Sequence, residues 1–235
     1  MQTGKECTLR AIEFKGPDHI PLCLSFDARH ALDEEYGRIV NENFPADIIV
    51  VGQADPDIVP SEDQPDDWGC VWSTMGKTMG EVKNHPLEDW ESFDEWAAAR
   101  PDLSDPRRYE KVRAVKEANP DKFVIGDMGL LMETIINLRG FDGYMTDLYL
   151  ERENLDQLID LIYKKGHDMI DAYADAGLDG LIGYEDWGLQ TTPMMSLPMW
   201  REVFKDKMAE FVRHIHARGM KYILHSCGYI IDMID

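Results

Sequence analysis

No stretch of about eighteen consecutive apolar residues occurs in the chain, so the sequence offers no membrane-spanning helix. The first ten residues, with Lys5 and Arg10, are not followed by the apolar segment of a secretory leader. Cysteine is scarce: Cys7, Cys23, Cys70 and Cys227 are the four in 235 residues, and none forms a Cys-x-x-Cys pair. That spacing argues against a disulfide scaffold and for a reducing, cytoplasmic compartment in which thiolates and zinc are tolerated. Positive charge is in deficit, with 24 Lys and Arg against 45 Asp and Glu and a net charge of -21. The acids are spread along the chain, from Asp33-Glu-Glu35 through Glu88 to Glu95 and Glu151 to Asp156. Such a surface repels phosphate backbones and anionic lipid, which speaks against nucleic acid and membrane partners and for a small-molecule one. Internal repeats and low-complexity linkers are also missing, and no dinucleotide-binding glycine fingerprint follows the first predicted strand.

What remains alternates between strand-like and helix-like stretches. Thr8 to Phe14 reads as a helix closed by Gly16-Pro17, His19 to Phe26 as a strand, Ala28 to Glu42 as a helix and Asp47 to Val51 as a second strand. Residues 60–86 read as a hairpin excursion, and Asp66-Asp-Trp-Gly69 on it is expected to be structural and far from any parallel strand end. Trp90, Phe93 and Trp96 recur at helical spacing within Glu88 to Ala99, the pattern of a packed face. Further strands are expected at Lys122 to Ile125, Gly180 to Tyr184 and Met220 to Leu224. Helices are expected at Leu130 to Leu138, at Asn154 to Ala176 with its long apolar stripe, and from Ser196 to Gly219. Helices after parallel strands favour a TIM (β/α)8 barrel, here truncated to about five strands in one incomplete domain over residues 1–235.

In a barrel, every strand delivers its C-terminal end to one mouth, where chemistry collects. The most informative pair there is His225 and Cys227, in the run Tyr222-Ile-Leu-His-Ser-Cys-Gly228. A strand pleat aims residues two apart to one side, and an imidazole beside a thiolate is half of a zinc site. The adjacent acids of Tyr184-Glu-Asp-Trp-Gly188 come next: Asp186 and Glu185 are candidates for a metal ligand or a proton-transferring group. Asp27 and Asp127 at other strand ends, with Trp187 and Gln190 just after the paired acids, are candidate substrate contacts. The remaining histidines, His19, His30, His85, His167, His214 and His216, show no ligand spacing with one another.

The chain resembles the uroporphyrinogen decarboxylase superfamily, in particular its zinc-dependent methyltransferase branch of the methylcobalamin:coenzyme M type. The resemblance runs from about Arg10 to the last residue. It is carried by Pro17-Asp-His-Ile-Pro21, Asp67-Trp-Gly69, His85-Pro-Leu87, Leu138-Arg-Gly-Phe-Asp142, Asp147-Leu-Tyr149, Glu185-Asp-Trp-Gly188 and His225-Ser-Cys-Gly228 in that order. It implies a (β/α)8 barrel holding zinc through the His-x-Cys pair and a further cysteine on a late strand. His225 and Cys227 match the first two ligands, and the third is expected beyond Asp235. It also implies methyl transfer between a corrinoid, as methylcobalamin or a corrinoid protein, and a small-molecule donor or acceptor such as a thiol.

Two other readings stay open. The porphyrin decarboxylases of the superfamily carry an amino-terminal arginine-rich motif for substrate carboxylates, and between residues 8 and 40 only Arg10, Arg29 and Arg38 occur. A polycarboxylate would meet a chain of its own sign. A barrel fragment acting as a non-catalytic binding module is the other reading, for which an uncovered sheet edge is the difficulty.

Overall fold

The computed structural model of the chain describes residues 2–23, 34–54, 65–73, 80–129 and 131–234. Helix α1 (Gly4–Ile12) begins four residues earlier than the apolar pattern suggests, because a reciprocal capping box starts it. The Glu6 amide donates to Thr3 Oγ1 at 3.1 Å and the Thr3 amide to Glu6 Oε2 at 2.9 Å. Helix α2 (Glu34–Asn43) leads to β1 (Ile48–Gly52). The excursion that follows pairs β2 (Trp72–Ser73) with β3 (Glu81–Val82) in an antiparallel hairpin, as its turn residues suggest. A 3₁₀ turn (Trp90–Ser92) and α3 (Phe93–Ala98) bury Trp96, and a second 3₁₀ turn (Pro106–Tyr109) runs into α4 (Glu110–Ala118). Then come β4 (Phe123–Asp127), α5 (Leu131–Arg139), α6 (Phe141–Leu150), α7 (Arg152–Asp175) and β5 (Gly180–Tyr184). The final unit is α8 (Leu197–Trp200), one π-helical turn (Arg201–Lys205), α9 (Asp206–Ala217) and β6 (Lys221–His225).

The four long strands form one parallel sheet in the order β1-β4-β5-β6. This is an α/β architecture of a parallel sheet with helices packed against it, and the described residues do not close a barrel. A fifth strand at His19 to Phe26 is not found over residues 19–23, and residues 24–26 lie outside the described residues. What the structure shows instead is the Leu22 carbonyl accepting the amides of Asp47 at 2.8 Å and Ile48 at 3.1 Å. The register assigns side chains to faces. Val51, Val124, Gly126 and Leu181 look toward the helices, while Val50, Asp127, Ile182, Tyr184, Ile223 and His225 share the opposite face. On the helical face Leu181 and Val124 are fully buried, and Leu155, Leu158, Ile159, Ile162, Met169 and Ile170 of α7 are buried with them in the core; on the opposite face Phe123 and Ile125, in the first half of β4, are buried as well.

Ion pairs differ in weight. Arg139 donates to Asp147 Oδ2 at 2.7 Å, both side chains are buried, and the guanidinium lies 4.1 Å over the Trp90 ring. Removing one partner of such a pair costs about 3–5 kcal/mol, against about 0.3–0.5 kcal/mol for an exposed i,i+4 pair such as Arg38–Glu42. The first pair ties α5 to α6.

Two histidines that have no ligand spacing in sequence meet between α7 and α9. His167 Nδ1 and His214 Nδ1 are 2.7 Å apart, with the rings stacked at 5.0 Å, and His214 Nε2 is 3.0 Å from Asp171 Oδ1. One proton fits between the two nitrogens, so one ring donates and the other accepts. Burial and then His214 hold His167 below its ordinary 6.5, against the charges of Glu210, Asp171 and Asp168. A base with a depressed folded pKa contributes stability above the unfolded value and loses it as the pH falls. The thermal midpoint is therefore expected to fall as pH drops below 6.5. Thermal melts of His167→Gln should show a flatter pH dependence than the parent chain; equal slopes would contradict the assignment.

Candidate metal centre

Strand β6 ends its ladder at His225, opposite Tyr184 of β5. Past those two residues the chains turn, and two glycines let the turns meet backbone to backbone. Gly228 has φ of 76°, and a Cβ there would lie 2.6 Å from the Leu189 carbonyl oxygen. A Cβ on Gly188 would lie 2.7 Å from the Cys227 carbonyl oxygen. The Tyr229 amide donates to the Leu189 carbonyl at 2.8 Å and locks the two turns together. The Asp-Trp-Gly and Ser-Cys-Gly motifs thus end in glycine for one shared reason, a contact too close for any side chain.

This packing brings three donors together. The Cys227 amide donates to Asp186 Oδ1 at 2.7 Å, His225 Nε2 lies 3.3 Å from Cys227 Sγ, and the same Nε2 is 3.8 Å from Asp186 Oδ1. Nitrogen, sulfur and carboxylate oxygen all fall within 4.8 Å of one another. His225 and Cys227 meet, but β6 ends at His225, so the turn after the strand, rather than its pleat, carries Cys227 to the imidazole; the neighbouring strand end adds Asp186. The Cys227 thiol is raised above its ordinary value, first by its hydrogen bond to Asp186, then by that carboxylate's charge. A cation among these groups inverts the balance and favours thiolate.

Glu133, in the first turn of α5, is a member of this group that its sequence context did not single out. Burial raises its pKa first, and the charge of Asp186 and a hydrogen bond with it add to the rise. The only sequence signal was its position just after β4, on the helix that begins at the same mouth.

The adjacent acids part company. Asp186 continues the face of Ile182 and Tyr184, whereas Glu185 turns to the helical side and is fully buried. Its Oε2 accepts the Met132 amide at 3.1 Å, and burial pushes its pKa up to about 8. Burial favours its neutral form, among Tyr144, Tyr163 and Tyr222, each of which its charge would raise further. Trp187 is also buried, its ring 5.3 Å from Trp200, and Gln190 stands exposed on the turn. Neither joins the three donors, and Asp27 lies outside the described residues.

Asp127 sits elsewhere on the same mouth, in a cavity of about 240 Å³ at the ends of β1 and β4. Asp67 and Trp68 also line it, which corrects the expectation that this motif stands far from any parallel strand end. The cause is an ion pair: Arg108, buried in the 3₁₀ turn before α4, bonds Asp67, and its Nε donates to Gln53 Oε1 at 2.7 Å. That network draws the excursion over the end of β1.

Among the described residues, no helix is long and apolar enough to cross a membrane. No curated protein matches the chain. Among solved structures, the fold is similar to that of a methyltransferase from Methanosarcina mazei, with a TM-score of 0.67 and 17% sequence identity. The likeness covers 97% of this chain and 71% of that one. At that identity it speaks for the fold. The family model for uroporphyrinogen decarboxylase (URO-D) matches residues 64–235, the stretch that holds the hairpin, all strands from β2 to β6 and the three converging donors. With a match over well more than half its length, the chain belongs to the uroporphyrinogen decarboxylase family.

Proposed function

We propose that the chain performs zinc-dependent methyl transfer between a corrinoid, as methylcobalamin or a corrinoid protein, and a thiol or another small molecule. The observation that carries this reading is the convergence of Asp186, His225 and Cys227 within 4.8 Å at adjacent parallel strand ends. These are donors that zinc takes, and three protein donors with a remaining position is the catalytic pattern rather than the structural one. Zinc bound there supplies a lowered pKa for an incoming thiol, and the corrinoid supplies the methyl carrier.

The chain's own residues do the rest. His225 and Cys227 hold the metal, and Asp186 adds a carboxylate while fixing the Cys227 amide at 2.7 Å. Glu133 bears on Asp186 and holds its orientation. Glu185, whose burial favours the protonated form, is an acid behind the site and a brace for the start of α5.

The test is to mix the chain with methylcobalamin and a simple thiol and follow the cobalamin spectrum. Thiol-dependent demethylation should disappear on chelation and return with zinc, and His225→Ala should lower it by at least about a hundredfold. Demethylation at full rate in metal-free protein ends this reading. The family name favours a second one, porphyrinogen decarboxylation, which requires turnover of uroporphyrinogen by the same metal-free preparation.

A further inference from the structure

The acid of the neighbouring cavity, Asp127, has a different chemistry from the three metal donors. One of its oxygens accepts the Gly129 amide at 2.8 Å, and no cationic group pairs with it among the described residues. The other acid on the cavity wall, Asp67, is already matched by Arg108. The rest of the wall carries no charge: the polar Gln53 and Thr134 stand beside the apolar, polarizable Trp68, Leu103, Met128, Leu131 and Met169. An unmatched carboxylate beside an indole and two thioethers is a poor host for an anion and a good one for an organic cation, which gains from both the charge and the ring face. Its volume, about 240 Å³, is below the roughly 300–1,000 Å³ of drug-sized pockets, so the guest is small. The net charge of -21 draws cations toward the chain from a distance.

We propose that this cavity binds a small alkylated ammonium ion, its charged head at Asp127 and its alkyl groups against Trp68 and the methionines. The proposal rests on the reading of the strand ends as the reactive mouth, and it gives that mouth a substrate class. Asp127 and His225 share one face of the sheet, and Tyr184 lies between them in the register, its ring 5.5 Å from that of His225.

Calorimetric titration of the folded chain with tetramethylammonium chloride at physiological salt tests this, with tert-butanol as the uncharged comparison. Saturable binding of one ion per chain is expected, with no uptake of tert-butanol over the same range. Asp127→Asn, which keeps an acceptor for the Gly129 amide, should weaken binding about tenfold or more, and Trp68→Leu about fivefold. Cys227→Ser should leave it unchanged. No saturable binding to a chain that melts cooperatively overturns the proposal, as does equal affinity in Asp127→Asn, which would reduce the effect to general attraction by an acidic surface. Ammonium binding by a chain that takes no zinc would sink the metal reading and leave this one standing.

Discussion

Cys227→Ser is expected to abolish tight zinc binding, lowering affinity by at least about a hundredfold, while the thermal midpoint of the metal-free chain stays close to that of the parent. The side chain is exposed, so its sulfur contributes little to packing. Its amide, not its thiol, makes the 2.7 Å bond to Asp186 that holds the turn, and serine keeps that amide. What serine removes is the soft anionic donor: its hydroxyl stays protonated at neutral pH, whereas a thiolate forms readily beside a divalent cation. Competition with a chromogenic chelator measures the loss. Unchanged affinity would mean that zinc, where it binds, binds elsewhere.

Gly228→Ala should have the largest effect on stability of any single methyl addition near the site. A residue at φ of 76° carries a strain of about 1–3 kcal/mol unless it is glycine. At Gly228 the added carbon also runs into the backbone of Gly188 and Leu189, which cannot move aside as a side chain can. A loss of about 2–4 kcal/mol is expected, together with a drop in zinc affinity, because the displaced turn carries Cys227 away from Asp186. Gly177 and Gly219 provide the comparison. Both have positive φ and open space around the missing Cβ, so alanine there pays only the backbone strain and should leave zinc affinity alone. Denaturant unfolding of the three variants separates the two contributions; equal losses at all three positions would show that the contact between the turns is immaterial.

The parts of the site that sequence made legible are those governed by local periodicity. The nearness of His225 and Cys227 follows from their spacing at the end of one strand, and β5 is found at the residues where a continuous apolar run ends in acids. The division of labour between Glu185 and Asp186 was equally available from alternation along 181–187, since adjacent residues on an extended chain face opposite ways. Contacts between distant segments were not legible. Glu133 is set beside Asp186 by the way α5 docks against β5, and nothing in its own neighbourhood announces that. The pairing of Gly188 with Gly228 shows only when both turns are in place. Asp67 was misjudged because a hairpin excursion has no periodic signal to say where it folds back; Arg108 decides it. Helices α4 and α6 escaped the pattern for related reasons. In α4 Val112 is the one buried residue, too little for an apolar stripe, and α6 follows α5 across Gly140 at φ of 73°, a break that leaves no spacer to mark a new element. Of the expected five-stranded partial barrel, the described residues hold the coarser part, an α/β fold with a four-stranded parallel sheet and helices.

X-ray absorption at the zinc edge of the chain loaded with one equivalent of zinc bears most directly on the proposed centre. A first shell with one sulfur at about 2.3 Å and nitrogen or oxygen donors at about 2.0–2.1 Å, one of them an imidazole, is the predicted result, with the sulfur lost in Cys227→Ser. A sulfur-free shell in the parent chain would contradict it.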